Sequence, residues 1–245
     1  MNRKLLLAAL LFACVPVYAQ MADAPAPAKA PKAAKTAYYF DSKVLNLSLI
    51  VPPPPARDSA TVKVELAELH GIEQGRTAEQ VARAQADEKD ETIFAFRTVL
   101  GDQFTAENLP LTAALSSHVH GEEPAAGDPL KAAFQRPRPY QLDPTLHPVC
   151  STTDKPNSNP SGHALSGYLL ALTLAQMVPE KSQEILARAD DYAHNRLVCG
   201  VHYPSDLAAS RQIAYAVFGY MMATPRFQID LAAARAETRK RLGLN

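Results

Sequence analysis

The sequence lacks an excess of charge of either sign. Its 25 Lys and Arg residues balance 25 Asp and Glu residues, so the formal net charge at pH 7 is zero. A chain without net positive charge has no general attraction to nucleic acid or to an anionic membrane surface. We therefore expect no nucleic-acid partner, and a bound anion would have to be held by a local cluster of basic residues.

The sequence also lacks an apolar run long enough to span a bilayer comfortably. The run over residues 5–17 is too short, follows the basic residues Arg3 and Lys4, and precedes a small-residue cleavage site at Ala19. This order is typical of a cleaved secretory signal. We predict a signal peptide over residues 1–19 and a periplasmic or secreted protein without a membrane span.

Cysteine is scarce, with three residues in the chain. Cys14 lies in the predicted signal, where it also resembles a lipoprotein processing site, but Phe12 is bulky for that role and we favour cleavage. Cys150 and Cys199 remain as an even pair, and an exported protein meets an oxidising compartment. We predict a disulfide between them, in preference to two buried free thiols or a redox switch.

No stretch keeps the alternation of apolar and polar residues that strands require, so we predict an all-α fold. Residues 20–35 are largely Ala, Pro and Lys and are predicted to be a linker, which leaves residues 36–245 as one helical domain. Loops are expected over 121–128 and 141–159, where polar residues interrupt the helical pattern. The uncharged run 164–178 is expected to be a core helix.

Three short clusters of polar residues carry the candidate chemistry. They are Lys131 with Arg138, the turn of Ser161, Gly162 and His163, and the group Arg196, His202 and Asp206. Arginine presents a planar fork that matches phosphate oxygens, and the amides at a helix start form an anion site. Two histidines can divide the roles of nucleophile and general acid. Asp206 follows His202 by four residues, so it can orient this imidazole if the turn is helical, which leaves His163 to protonate the leaving oxygen.

These clusters resemble the three-part signature of the type 2 phosphatidic acid phosphatase (PAP2) superfamily: Lys-x6-Arg-Pro, then Pro-Ser-Gly-His, then Ser-Arg-x5-His-x3-Asp. Within the superfamily, the chain most resembles the secreted bacterial class A non-specific acid phosphatases, over roughly residues 48–235. The resemblance implies an acid phosphatase that hydrolyses small phosphate monoesters of many kinds through a phosphohistidine, without a metal or other cofactor. It also suggests a homo-oligomer.

The resemblance assigns a role to each residue of the three clusters. His202 would be the nucleophile and Asp206 its partner, while His163 would be the acid for the leaving alcohol and then the base for water. Five residues would hold the phosphoryl oxygens: Lys131, Arg138, Ser161, Gly162 and Arg196.

One position departs from the signature, because Asn195 stands where the family has Ser. Asn still donates and accepts hydrogen bonds, so we expect function to survive, with weaker phosphate affinity if Arg196 is shifted. Two alternatives stay open: a vanadate-dependent haloperoxidase-like enzyme, and a non-catalytic phosphate-binding periplasmic protein. Arg136 is expected to be solvated, and no metal site is assigned to His118 and His120.

Overall fold

Residues 37–244 are described by the structure, a computed structural model, and they form nine α-helices and no strand. The helices are α1 Ala60–Gly75, α2 Ala78–Lys89, α3 Arg97–Leu100, α4 Pro110–Phe134, α5 Pro139–Leu142, α6 Gly162–Met177, α7 Ser182–Val198, α8 Pro204–Met222 and α9 Pro225–Leu242. Short 3-10 helices lie at Leu47–Leu49, Ile93–Phe96 and Pro179–Lys181. The all-α prediction is confirmed over this part of the chain. The predicted signal peptide (1–19), with Cys14, and the whole predicted linker (20–35) lie outside the described residues.

Several helices begin at residues that favour a helix start. Ser59 and Thr77 cap α1 and α2, since each side-chain oxygen accepts a first-turn backbone amide at 3.2 Å. Pro204 and Pro225 open α8 and α9, at the position where a helix has no partner for the missing N–H. These signals are visible in the sequence, and the core helix predicted over 164–178 is α6.

The loop predicted over 121–128 is wrong, because this stretch lies inside α4. The interruption comes from polar residues and from Pro124 and Pro129, each of which removes a hydrogen bond from a helix interior. One face of the stretch is nevertheless buried, with Ala126 in the core and Glu122 fully enclosed. Burial along this face outweighs the local cost of the prolines, so α4 runs on without a break.

Helix α6 lies at the centre of the fold and packs against α4, α7, α8 and α9. It contains no Asp, Glu, Lys or Arg, as expected for a helix with neighbours on every side. Gly167 lets α7 come close, since a Cβ there would lie 2.7 Å from the ring of Tyr192. This packing brings the start of α6, with His163, beside the end of α7, with Arg196.

The segment before α1 is held against α4 by a buried carboxylate. Glu122 accepts the backbone amides of Tyr38, Tyr39 and Phe40 at 2.8 to 3.0 Å. Burial raises the pKa of Glu122 to about 7, although the donated hydrogen bonds act in the opposite direction. The anchored segment contributes Tyr39 and Phe40 to the hydrophobic core.

Cys150 and Cys199 form a disulfide with Cα atoms 5.2 Å apart, as the sequence predicts. The bridge ties the loop between α5 and α6 to the end of α7. Of the helices within residues 37–244, none combines the length and the apolar character that a membrane crossing needs.

Candidate active site

The candidate site lies where the ends of several helices meet. Its residues are Lys131 in the last turn of α4, Arg138 just before α5, Ser161, Gly162 and His163 at the start of α6, Arg196 in the last turn of α7, His202 between α7 and α8, and Asp206 in the first turn of α8. Electrostatic effects join them, since Arg196, His202 and Arg138 all act on the pKa of His163. The fold thus brings the three predicted clusters together.

His202 is held in one orientation by groups on both ring nitrogens. Nδ1 lies 3.3 Å from Oδ2 of Asp206, and Nε2 lies 3.0 Å from Nη1 of Arg138. A guanidinium only donates hydrogen bonds, so Nε2 is the unprotonated nitrogen and Nδ1–H donates to the carboxylate. The side chains of His202 and Asp206 are 2% and 0% exposed. His202 therefore directs a fixed lone pair at Nε2 towards Arg138.

Asp206 is surrounded by four hydrogen-bond donors. Besides His202, Oδ2 accepts the Ser158 hydroxyl at 2.6 Å and the Tyr203 amide at 3.0 Å, while Oδ1 accepts Nη1 of Arg136 at 2.6 Å. Burial raises the pKa of Asp206, but the hydrogen bond and charge of His202, then Arg136 and Ser158, outweigh burial and leave this pKa below its ordinary value. The carboxylate stays ionised and can stabilise an imidazolium.

Arg136 is buried, so the prediction of a solvated side chain is wrong. Besides Asp206, it donates to Glu65 at 2.9 Å and to the Ser205 hydroxyl at 2.7 Å, and its guanidinium lies 3.8 Å from the centroid of the Tyr203 ring. Two buried carboxylates, one from α1 and one from α8, compensate its charge. Neither lies near Arg136 in the sequence, so the local pattern gave no sign of this role.

His163 is the more exposed of the two histidines. Its Nε2–H donates to the backbone carbonyl oxygen of Glu88 at 3.1 Å, and Nε2 lies 3.5 Å from Oε1 of Glu91. Burial, followed by the positive charge of Arg196, lowers the pKa of His163 to about 3. With nothing else bound, this imidazole is therefore neutral at pH 7.

Burial also lowers the pKa of His202 to about 3, with the charge of Arg138 next in importance and Asp206 acting in the opposite direction. A neutral imidazole is the form that can act as a nucleophile, because only this form has a lone pair. The low pKa thus suits attack by His202, whereas the similar pKa of His163 does not suit an acid.

Two of the cationic residues are paired with glutamates. Nζ of Lys131 lies 2.8 Å from Oε1 of Glu123, and Nη2 of Arg196 lies 3.3 Å from Oε1 of Glu88. Nε of Arg196 is buried and has no hydrogen-bond partner within residues 37–244. A buried donor without a partner costs free energy, so an anion that accepts from it would be stabilised.

Ser161 and Gly162 form the start of α6. The Ser161 hydroxyl oxygen accepts the amide of Ala164 at 3.4 Å, and its own hydrogen is left to donate. A Cβ on Gly162 would lie 2.6 Å from Oε1 of Glu123 and 3.2 Å from Nζ of Lys131. Glycine at this position therefore lets the end of Lys131 lie against the turn.

Asn195, which departs from the family signature, is buried and donates from Nδ2 to Oδ2 of Asp87 at 2.7 Å. Asp87 also accepts hydrogen bonds from both terminal nitrogens of Arg188. These contacts tie the turn of α7 that bears Arg196 to the end of α2. Asn195 therefore anchors the turn that bears Arg196.

Glu88 and Glu91, at and just after the end of α2, are site residues that the sequence reasoning missed. The acidic run Asp87–Glu91 was the available signal, but His163 lies more than 70 residues further along the chain. His118 and His120 have separate partners, since His118 stacks on Tyr38 and His120 contacts Ser166. Within the described chain, no three His, Cys, Asp or Glu side chains are placed to share a metal ion.

The chain is similar to known proteins over most of its length. The profile of the PAP2 superfamily matches residues 110–230. The non-specific acid phosphatase of Salmonella typhimurium is 30% identical over 210 residues, which are 82% of this chain and 83% of that protein. The non-specific acid phosphatase of Providencia stuartii is 27% identical over 215 residues, 83% of this chain and 85% of that protein.

Among solved structures, a transmembrane PAP2 type phosphatidylglycerolphosphate phosphatase from Bacillus subtilis aligns with a TM-score of 0.48 at 15% identity, over 68% of this chain and 87% of that chain. The superfamily profile includes all three clusters, from Lys131 to Asp206. The match to the Salmonella protein extends over most of both chains. The profile match and the match to the Salmonella protein show that the chain belongs to the PAP2 superfamily.

Proposed function

We propose that this protein, a phosphoric monoester hydrolase of the PAP2 type, is an acid phosphatase of broad specificity that transfers the phosphoryl group to His202 and then to water. The observation that carries the proposal is the Nε2 lone pair of His202, fixed between Asp206 and Arg138. Attack by a histidine needs one ring nitrogen unprotonated and the other held. Both conditions are met at His202.

The phosphoryl group is held by donors from four parts of the chain. These donors are Lys131, Arg138, Ser161, Gly162 and Arg196. The unpartnered Nε of Arg196 supports this assignment, because a phosphoryl oxygen is the acceptor that it lacks. On binding, Arg138 transfers its hydrogen bond from Nε2 of His202 to the substrate, which frees the lone pair for attack.

The first chemical step forms a phosphohistidine. Nε2 of His202 attacks phosphorus, the ester P–O bond breaks, and the leaving oxygen takes a proton from the His163 imidazolium. Asp206 stabilises the positive charge that develops on His202, which is the role of its ionised carboxylate. In the second step, His163 accepts a proton from water, the water oxygen attacks phosphorus, and the P–N bond breaks to return its electron pair to Nε2.

Substrate binding favours the protonated form of His163. A phosphate dianion offsets the charges of Arg196 and Arg138, which otherwise oppose protonation of this ring. The second pKa of a phosphate monoester is about 6, so below that pH the ester itself carries the proton into the site. Activity is therefore expected to rise as the pH falls from neutrality towards the acid range.

Phosphate release from p-nitrophenyl phosphate between about pH 4 and pH 7 tests the proposal, over a range set by the ordinary pKa values of Asp and His. His202→Ala is compared with His194→Ala, which changes an exposed histidine on α7. The first variant should lose activity and the second should keep it. Equal release by both variants would remove the catalytic claim, and a loss with EDTA that a divalent cation restores would contradict the metal-independent mechanism.

The phosphatase names of the relatives favour hydrolysis over the haloperoxidase-like alternative. The non-catalytic alternative rested on Asn195, whose hydrogen bond to Asp87 supports the turn that bears Arg196. If the protein oxidised bromide after addition of vanadate, the haloperoxidase-like alternative would be favoured over hydrolysis.

Export to the periplasm or the medium is a further part of the proposal. It is supported by the basic and apolar N-terminal pattern and by the disulfide between Cys150 and Cys199. N-terminal sequencing of the mature protein should begin at Gln20, whereas a chain that begins at a modified Cys14 would indicate a lipoprotein. The homo-oligomer stays a prediction, which light scattering on the purified protein tests.

A further inference from the structure

We propose that Glu91 is the charge partner of His163, a positioning residue whose carboxylate holds the general acid in its protonated form as the leaving group departs. The inference rests on the proposed function, because it concerns the acid step of the same reaction. In this role, Glu91 stabilises the protonated ring of His163, as Asp206 stabilises the positive charge that develops on His202.

The geometry places this carboxylate beside one ring nitrogen. Oε1 of Glu91 lies 3.5 Å from Nε2 of His163, and the backbone carbonyl oxygen of Glu88 lies 3.1 Å from the same nitrogen. A carbonyl oxygen only accepts hydrogen bonds, so Nε2 keeps its proton. Among residues 37–244, no group hydrogen-bonds the other nitrogen, Nδ1. The transferable proton is therefore the one on Nδ1.

The short connection that bears Glu91 is fixed on both sides. Oδ1 of Asp90 accepts the backbone amide and the hydroxyl of Thr92, at 3.1 and 2.6 Å. The Asp90 carbonyl oxygen accepts the Tyr192 hydroxyl from α7 at 3.1 Å. Since α7 also bears Arg196, the same helix positions Glu91 and the phosphate donor. The position of Glu91 thus follows from tertiary contacts and not from an exposed loop.

The charges around His163 explain why a partner is needed. Those that oppose its protonation are Arg196, His202 and Arg138. Those that act on Glu91 are His120, Arg196 and Lys131, which are positive or can become so, and Glu123, which is negative. Within the described chain, Glu91 is the carboxylate that lies within 4 Å of the His163 ring. The ionised Glu91 carboxylate favours the His163 imidazolium. Burial raises the pKa of Glu91, so this carboxylate is ionised mainly at the less acidic end of the range from about pH 4 to pH 7.

The acid step transfers one proton, which His163 supplies. The leaving oxygen takes the proton from Nδ1 while the ester P–O bond breaks and the P–N bond to His202 forms. His163 is left neutral, with its Nε2–H still directed at Glu88 and Glu91. An alkoxide needs this proton because its conjugate acid is weak, whereas p-nitrophenolate is stable without it. Glu91 should therefore matter for alkyl esters and hardly at all for p-nitrophenyl phosphate.

The test compares kcat/KM for glycerol 2-phosphate and p-nitrophenyl phosphate in the wild type and in Glu91→Gln, with Glu91→Asp as the variant that keeps the charge. The matched control is Glu184→Gln, which changes an exposed carboxylate paired with Lys181 at the start of α7. Glu91→Gln should lower kcat/KM for glycerol 2-phosphate by about tenfold, and for p-nitrophenyl phosphate by less than about twofold. Glu91→Asp should recover part of the loss, and the control should match the wild type.

A pH profile adds a result that loss of structure alone would not give. Without the carboxylate, the His163 imidazolium is less favoured, so the alkaline limb for glycerol 2-phosphate should move to lower pH in Glu91→Gln. The ratio of the two substrates, measured on one sample, does not depend on the fraction of protein that is folded. An equal loss for both esters in Glu91→Gln, or no loss for either, overturns the role of Glu91. The proposed function is still supported in that case, because the wild type releases phosphate. A wild type that releases phosphate from neither ester overturns the proposed function, and the role of Glu91 with it.

Discussion

The two histidines of the site differ in how each is held. His202 is enclosed with Asp206, which accepts four hydrogen bonds, whereas the side chains of His163 and Glu91 are 22% and 33% exposed. The difference suits the two proposed tasks. A nucleophile needs a lone pair fixed in direction, while an acid and base must exchange protons with an alcohol and with water.

The pairs also differ in how the chain builds them. His202 and Asp206 are four residues apart and meet within one turn, so the local backbone sets their geometry. His163 and Glu91 come from α6 and from the connection after α2, and they meet only because the helices pack. Changes to helix packing should therefore disturb mainly His163 and Glu91. Changes to buried charge should disturb mainly His202 and Asp206.

Loss of the acid should have a large effect on one class of ester. His163→Asn should lower kcat/KM for glycerol 2-phosphate by about 10²- to 10⁴-fold, and for p-nitrophenyl phosphate by less than about tenfold, because only the first leaving group needs the proton. His194→Asn, on the exposed side of α7, is the control and should change neither value. A loss of the same size for both esters would contradict the assignment of His163 as the acid and His202 as the nucleophile.

The next effect concerns the support of the buried pair. Arg136→Met leaves Asp206 and Glu65 buried without their cation, so the free energy of unfolding should fall by about 3–5 kcal/mol. Any residual activity should be reduced by the same factor for both esters, because Arg136 acts through the nucleophile. Urea unfolding with the disulfide intact measures the first value and steady-state kinetics the second.

The control for that experiment is Arg83→Met, which changes a half-exposed arginine 3.8 Å from Asp191. It should lower the free energy of unfolding by less than about 1 kcal/mol. If Arg136→Met were no more destabilising than this control, the argument that Arg136 compensates buried carboxylates would be wrong.

A smaller effect follows from the low pKa values of His163 and His202. Both are lowered to about 3 in the folded protein, so the unfolded chain takes up protons first as the pH falls through about 6.5. The two histidines should therefore make stability decrease from pH 6.5 downwards, by up to about 1.4 kcal/mol per pH unit each, while Glu122, whose pKa is raised to about 7, acts in the opposite direction down to its ordinary pKa of about 4.3. Inorganic phosphate should reduce this slope, because a bound anion favours the protonated rings.

Urea midpoints at several pH values measure this slope. His163→Asn removes the contribution of one histidine and should lower the slope by up to about 1.4 kcal/mol per pH unit relative to the wild type. An unchanged slope in this variant would mean that His163 does not stay neutral in the folded protein.

The smallest effect tests the packing that brings the second pair together. In Gly167→Ala the new Cβ meets the buried ring of Tyr192, which should cost about 1–3 kcal/mol of stability. Gly219→Ala, on α8, meets nothing within 4 Å and should stabilise by about 0.5–1 kcal/mol, because alanine favours a helix. Thermal or urea unfolding of both variants distinguishes the two cases, and equal effects would contradict the close contact between α6 and α7.

The parts of the molecule that the sequence could predict are those decided by neighbours along the chain. Ser59 and Thr77 cap their helices, Pro204 and Pro225 open theirs, and the spacing of His202 and Asp206 already indicates a pair. The eight predicted site residues do converge at the ends of the helices, since the motifs coincide with those ends.

The errors and omissions arise where distant parts of the chain decide. The prolines of α4 suggest a loop, but burial of the opposite face keeps the helix intact. Arg136 looks solvated until α1 supplies Glu65, and Glu91 has no visible purpose until α2 ends beside His163. Such contacts depend on helix packing, which the periodicity of a single sequence does not specify.

The residue that carries the phosphoryl group in the intermediate distinguishes the roles of His202 and His163. The wild-type protein is mixed with a radiolabelled phosphate ester, quenched within milliseconds in alkaline denaturant, reduced and digested with trypsin. Reduction is needed because the disulfide joins the peptide over 197–211, which contains His202, to that over 132–181, which contains His163. The division of roles predicts an acid-labile phosphoryl group on the 197–211 peptide; label on the 132–181 peptide, or turnover without any labelled peptide, would contradict it.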